Sequence, residues 1–113
     1  MTFNYNHKRF KVVSNSDQGE VSEDFVFEYH QHGNILTCEY QGGKIQCGQL
    51  MGIVDENGKI DMRYQQINQL GQLQTGHCIS IPERMENGKI RLHETWQWTS
   101  GKRTNGTSTL EEC

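Results

Sequence analysis

The chain has 113 residues, enough for one sizeable core and too few for two. Only 33% of the residues are hydrophobic, but the net charge is −3 and aromatics make up 9%, so the chain lacks the pairing of low hydrophobicity with high charge that keeps a polypeptide disordered. Mild acidity without a Lys/Arg cluster argues against a nucleic-acid partner, and no stretch approaches the ~20 apolar residues of a membrane-spanning helix.

The chain opens Met1-Thr2-Phe3-Asn4-Tyr5-Asn6-His7-Lys8, without the apolar region of a secretory signal, and a cytoplasmic location is expected. Four cysteines, Cys38, Cys47, Cys78 and Cys113, match no familiar disulfide framework and are expected as reduced thiols. Twelve glycines against one proline, Pro82, fit strands joined by tight turns. No helix signal of useful length occurs, and the polar stretch 15–24 reads as a loop or at most one helical turn.

From Phe25 onward, short alternating segments are separated by His32-Gly33, Gly42-Gly43, Asn57-Gly58, Leu70-Gly71, Asn87-Gly88 and Asn105-Gly106. Asn-Gly favours tight hairpins because it tolerates positive φ at both central turn positions. The expected strands are 9–14, 24–31, 35–41, 44–54, 59–68, 72–82, 89–99 and 106–113. That is about eight, the number at which an antiparallel meander closes into a barrel around a side-chain core or one small ligand. The expectation is therefore a single all-β domain over 1–113, an up-and-down barrel with little or no helix.

Treating the glycine pairs as two-residue turns, with a four-residue loop at 68–71, sorts the side chains onto two faces. The interior face then holds Phe25, Phe27, Tyr29, Leu36, Cys38, Tyr40, Ile45, Cys47, Gln49, Met51, Ile53, Ile60, Met62, Tyr64, Leu73, Thr75, His77, Ile79, Ile81, Ile90, Leu92, Glu94, Trp96 and Trp98. Cys38 would face Cys47. Arg63 and Arg91 would point outward, toward solvent or toward Asp61 and Glu39. Leu50 and Val54 would lie outside as a small apolar patch, suited to a weak homodimer contact or simply tolerated on a monomer.

Several interior positions are polar, and buried polar groups need partners: each other, water or a ligand. Gln49, Tyr64, Thr75, His77, Glu94, Trp96 and Trp98 together form a candidate ligand-binding set, with flat apolar walls around convergent polar groups. His77 and Glu94 lie on neighbouring strands; opposite one another they would make either an acid/base couple or a satisfied core hydrogen bond. Trp96 and Trp98 share a face and would either stack on a ligand or plug one end of the barrel. Met51 and Met62 read as core filler. Cys38 and Cys47 with a histidine fall short of a zinc pattern, and no residue is placed to support a Cys-His nucleophile. No catalytic residue, metal or cofactor is assigned.

The stretch 33–112, with Asp55-Glu56-Asn57-Gly58-Lys59-Ile60-Asp61-Met62-Arg63-Tyr64 and Arg91-Leu92-His93-Glu94-Thr95-Trp96-Gln97-Trp98-Thr99-Ser100-Gly101, resembles a set of small bacterial proteins with a calycin-like barrel. Some of these carry the name N-acetylglutamate synthase, which implies an acyltransferase holding acetyl-CoA on α/β domains. This chain has no βα crossover and no phosphate-cradling glycine loop. More broadly the pattern is similar to avidin, lipocalin and fatty-acid-binding proteins, which bind small molecules inside an up-and-down barrel. The first strand, Arg9-Phe10-Lys11-Val12-Val13, lacks the Gly-x-Trp of many lipocalins. The expected function is binding of a small, partly polar, aromatic or heterocyclic ligand inside the barrel. The alternative is an interaction or structural domain whose barrel is filled by its own side chains, and an enzyme stands third.

Overall fold

The computed structural model describes residues 3–15, 25–101 and 103–113; most of the loop expected over 15–24 lies outside them. The strands are β1 (Arg9–Asn15), β2 (Val26–Glu28), β3 (His30–His32), β4 (Ile35–Gly42), β5 (Ile45–Val54), β6 (Ile60–Asn68), β7 (Leu73–Arg84), β8 (Ile90–Trp98) and β9 (Asn105–Glu112), with no helix among the described residues. All pairings are antiparallel, in the order β2-β1-β9-β8-β7-β6-β5-β4-β3. β2 and β3 are halves of one segment interrupted at Tyr29; the first pairs with β1 and the second with β4, which nearly closes the barrel. The expected architecture therefore holds, with nine strands among the described residues where about eight were expected. At the break, Tyr29 N–H donates to the Lys8 carbonyl and His7 N–H donates to the Tyr29 carbonyl, both at 2.9 Å.

The turns differ from the expected ones, and the differences decide which side chains face inward. The first hairpin turns at Gly33-Asn34, one residue later than expected, because His32 pairs with Ile35. A two-residue loop displaced by one residue slides the pairing by two and preserves the faces. At Gly42-Gly43 a bulge intervenes, with φ of 133° and 55°, and Cys38 meets Leu50 instead of Cys47. An odd shift turns a strand over. In β5, Leu50, Gly52 and Val54 therefore face the core, whereas Cys47, Gln49, Met51 and Ile53 are exposed.

The next three hairpins share one loop design. Met85 N–H donates to Lys89 O and Gly88 N–H to Met85 O, and Asp55/Gly58/Lys59 and Asn68/Gly71/Gln72 repeat the same pair of bonds. Each is a type I turn followed by a glycine at positive φ (Gly58 85°, Gly71 78°, Gly88 85°), a three-residue loop. The side chains of Asp55 and Asn68 fix two of these turns, accepting from the N–H groups of Asn57 and Lys59 and of Leu70 and Gln72. At the start of the last hairpin Trp98 N–H donates to Thr104 O, and Asn105-Gly106 begins β9, with Gly106 paired to Trp96.

β7 is inverted relative to expectation for the same reason: Tyr64 meets Gly76 and Ile60 meets Ser80. Gly76, Cys78 and Ser80 are buried, and Leu73, Thr75, His77, Ile79 and Ile81 belong to the outer face. β6 and β8 lie as expected because the errors in the intervening turns cancel in pairs. Arg63 and Arg91 point outward. Arg63 bonds Asp61 at 2.7 Å, while Arg91 reaches Glu111 at 2.9 Å and Glu83 at 3.6 Å instead of Glu39.

The end carrying the 55–59 and 85–89 turns is solid. Tyr5, Phe10, Leu36, Ile60, Ile90 and Leu92 have essentially no solvent contact. The N-terminal segment plugs this end: Tyr5 Oη donates to Gly58 O at 2.6 Å, and Arg84 lies over the Phe3 ring at 4.8 Å. Such aromatic packing between segments distant in sequence resists local opening and anchors the barrel's shape.

Candidate functional site

The other half of the barrel is not filled. Interior residues of every long strand and of the 25–29 segment surround a cavity of about 80 Å³. Phe27, Tyr29, Tyr40, Tyr64, Trp96 and Trp98 supply aromatic wall, Val12, Leu50, Met62 and Leu110 aliphatic wall, and Asn15, Gln66, Cys78, Glu94 and Ser108 polar groups. Among the described residues that line it there is no Lys, Arg or His.

The aromatic walls depend on glycines across the strand. Tyr40 pairs with Gly48 and Tyr64 with Gly76. A Cβ on Gly76 would lie 2.1 Å from Tyr64 Cζ, and one on Gly48 would lie 2.4 Å from Tyr40 Cε2. The rings thus occupy the space that a neighbouring side chain would take, so they lie against the wall. Tyr64 packs edge-on against Trp98 at 5.5 Å, and Trp98 against Trp96 at 6.1 Å. Tyr40 Oη donates to Gln66 Oε1 at 3.1 Å, and Gln66 Nε2 donates to Gln74 Oε1 at 3.2 Å, satisfying this polar edge.

Glu94 is the charged group of the cavity. It sits in the middle of β8 opposite Ser80 of β7 and Ser108 of β9. Its carboxylate accepts from Ser80 Oγ at 2.9 Å and from Ser108 Oγ at 3.4 Å. Protein encloses Glu94, and the accessible surface it keeps faces the cavity that it lines. Burial pushes its carboxyl up to about 7, against the opposing pull of the two serine hydrogen bonds. Burial likewise raises the hydroxyls of Tyr29, Tyr40 and Tyr64 and the Cys78 thiol, keeping all four neutral at physiological pH.

Of the seven candidate ligand-binding residues, the barrel brings together Tyr64, Glu94, Trp96 and Trp98. Gln49, Thr75 and His77 are corrected to the outer face by the inverted β5 and β7. Gln49 is exposed opposite Glu39 and Gln65, and Thr75 Oγ1 shares a 2.7 Å hydrogen bond with Thr99 Oγ1. His77 pairs across the strand with Gln97, and its Nε2 lies 2.9 Å from Asp61 Oδ1, beside Arg63. His77 and Glu94 are therefore on opposite faces, and the acid/base couple does not form. Ser80 and Ser108 were not singled out in the sequence; a three-residue loop ending at Gly71 would have placed Ser80 inside.

All four cysteines are free thiols, and the expected Cys38–Cys47 adjacency is replaced by Cys38 opposite Leu50 and Cys47 opposite Ile67. Among the described residues one group has metal-ligand geometry: donor atoms of His7, Glu28 and His30 lie within 4.8 Å of one another, exposed outside the barrel. The Cys38/Cys47 pair does not contribute to it.

The sequence model of the family described as avidin-like protein matches residues 3–113. The chain belongs to the avidin-like family. No curated protein and no solved structure matches it. The avidin-like assignment agrees with the calycin-like barrel expected from the sequence and with the strand order observed.

Proposed function

We propose that this avidin-like protein binds a small molecule in the half-open cavity around Glu94. The observation that carries the reading is Glu94 itself. An enclosed carboxylate with no cationic neighbour lowers stability, and an apolar residue there would serve a purely structural barrel better. Here the polar group stands beneath aromatic walls that cross-strand glycines hold open, an arrangement typical of ligand pockets.

Size supports partial enclosure. The cavity, at about 80 Å³, is smaller than the roughly 150 Å³ that admits benzene in an engineered protein core. It suits the head group of a ligand whose remainder extends past the partly buried, mutually packed pair Tyr64 and Trp98. The solid end formed by Tyr5, Phe10 and Ile60 supports the alternative of a self-filled structural barrel, but that packing does not extend to the Glu94 layer. Native mass spectrometry of the protein purified from its own host, beside the same protein after denaturation and refolding, tests the reading. Binding predicts a retained mass lost on refolding, or saturable tryptophan quenching by a library of small polar aromatics. An apo mass together with no quenching across the library favours the structural barrel.

A further inference from the structure

We infer that the cavity is built for the cationic head of its ligand, an amine, amidine or guanidine, with Glu94 as the counter-ion. This rests on the binding reading above and goes on to name the chemistry of the ligand.

Three observations converge on a cation. The lining holds one acidic side chain and no basic one, so an anion entering would meet Glu94 with nothing to compensate it. Six of the fifteen lining residues are aromatic, and ring faces attract cations and repel anions. The hydroxyls of Ser80 and Ser108 already donate to Glu94, which fixes the carboxylate while leaving it further lone pairs for an N–H donor. A planar amidinium or guanidinium offers paired N–H groups matched to a carboxylate, and it is weakly hydrated, so its desolvation costs less than that of a compact ammonium.

The titratable groups facing Glu94 do not compete for the role. Tyr29 lies on the 25–29 segment, Tyr64 on β6 and Cys78 on β7, and all stay neutral while Glu94 changes charge. Ser80 and Ser108 do not titrate. Cation binding is thus linked to ionisation of one group, and affinity should rise with pH across the range in which Glu94 loses its proton.

The test uses benzamidinium, benzamide and benzoate, three flat molecules of nearly one shape and of charge plus one, zero and minus one. The chain has two tryptophans, both lining the cavity, so intrinsic fluorescence reports on this site. At pH 8 benzamidinium is expected to bind at least tenfold more tightly than benzamide, with benzoate weakest. Lowering the pH to 5 should weaken benzamidinium at least tenfold and leave benzamide within threefold. Glu94→Gln should abolish the preference for benzamidinium over benzamide and its rise with pH. The pH arm uses the wild-type protein and stands even where the variant fails to fold. If benzamide or benzoate binds as tightly as benzamidinium, the cation assignment is overturned and the binding reading stands. If none of the three changes the tryptophan signal at millimolar concentration, the cation assignment falls, and a positive library result would then uphold binding of another ligand class.

Discussion

Replacing Glu94 by Gln should make the protein more stable at pH 8 and slightly less stable at pH 4. The carboxyl releases its proton near 4.5 in the unfolded chain and near 7 in the folded barrel. Below pH 4.5 both states hold the proton, and burial of Glu94 exacts no ionisation cost. Between 4.5 and 7 the folded state retains a proton that the unfolded state has lost, so stability falls as pH rises, and above 7 the loss is complete. At about 1.4 kcal/mol per tenfold, the full loss is roughly 3 kcal/mol. Gln carries no such dependence. Its amide oxygen can accept from one serine, and the mismatch at the other costs about 1 kcal/mol at every pH. The variant should therefore trail the wild type by about 1 kcal/mol at pH 4 and lead it by about 2 kcal/mol at pH 8. Urea unfolding followed by tryptophan fluorescence at intervals from pH 4 to 8 measures the difference, in which the other titrating groups cancel. A difference that is constant with pH, or that moves against the variant as pH rises, refutes the burial argument.

Gly76→Ala should push the Tyr64 ring toward the cavity and weaken binding of benzamide or benzamidinium at least tenfold. Its stability change should stay within about 1–2 kcal/mol, since a strand tolerates alanine better than glycine and the displaced atoms are the far end of the Tyr64 side chain; unchanged affinity would mean that the glycine does not shape the wall. His77→Ala should leave ligand affinity within twofold and stability within about 0.5 kcal/mol, because His77 lies outside beside Asp61; a larger binding loss would show that the site had been placed in the wrong layer. Thiol labelling of the native protein should show Cys47 and Cys113 reacting fast, and Cys38 and Cys78 reacting only as the barrel opens. Both latter thiols are buried, and burial pushes that of Cys38 up to about 12; four equal rates would contradict the packing.

The meander, the absence of helix among the described residues and the inward faces of β4, β6 and β8 were legible in the sequence because period-two alternation is strong there. The faces of β5 and β7 were not, because a face depends on loop length parity and one residue reverses it. Part of the missing signal was present. Asp55 and Asn68 occupy the first position of a type I turn with Gly58 and Gly71 in the fourth, which marks a three-residue loop. The Gly42-Gly43 bulge has no comparable signature, since two adjacent glycines suit a two-residue turn equally well. Trp96, Trp98, Tyr64 and Glu94 emerged as site residues because their strands were oriented correctly. Ser80 and Ser108 carry no individual signal and become meaningful only once pairing sets them on either side of Glu94. Asn105-Gly106 carries a turn signal, whereas both residues lie in β9, opposite Gln97 and Trp96.

The central claim is that a small molecule occupies the space between Glu94 and the two tryptophans. Nitrogen-15 NMR of the uniformly labelled protein during a benzamidinium titration tests it most directly, because both indole N–H signals belong to cavity residues. The account predicts that both indole signals shift along one shared saturating curve, together with the amides of Ser80, Glu94 and Ser108, while those of Met51 and His77 on the outer face stay still. Saturable shifts centred on the outer face, with the indole signals unmoved, would contradict it.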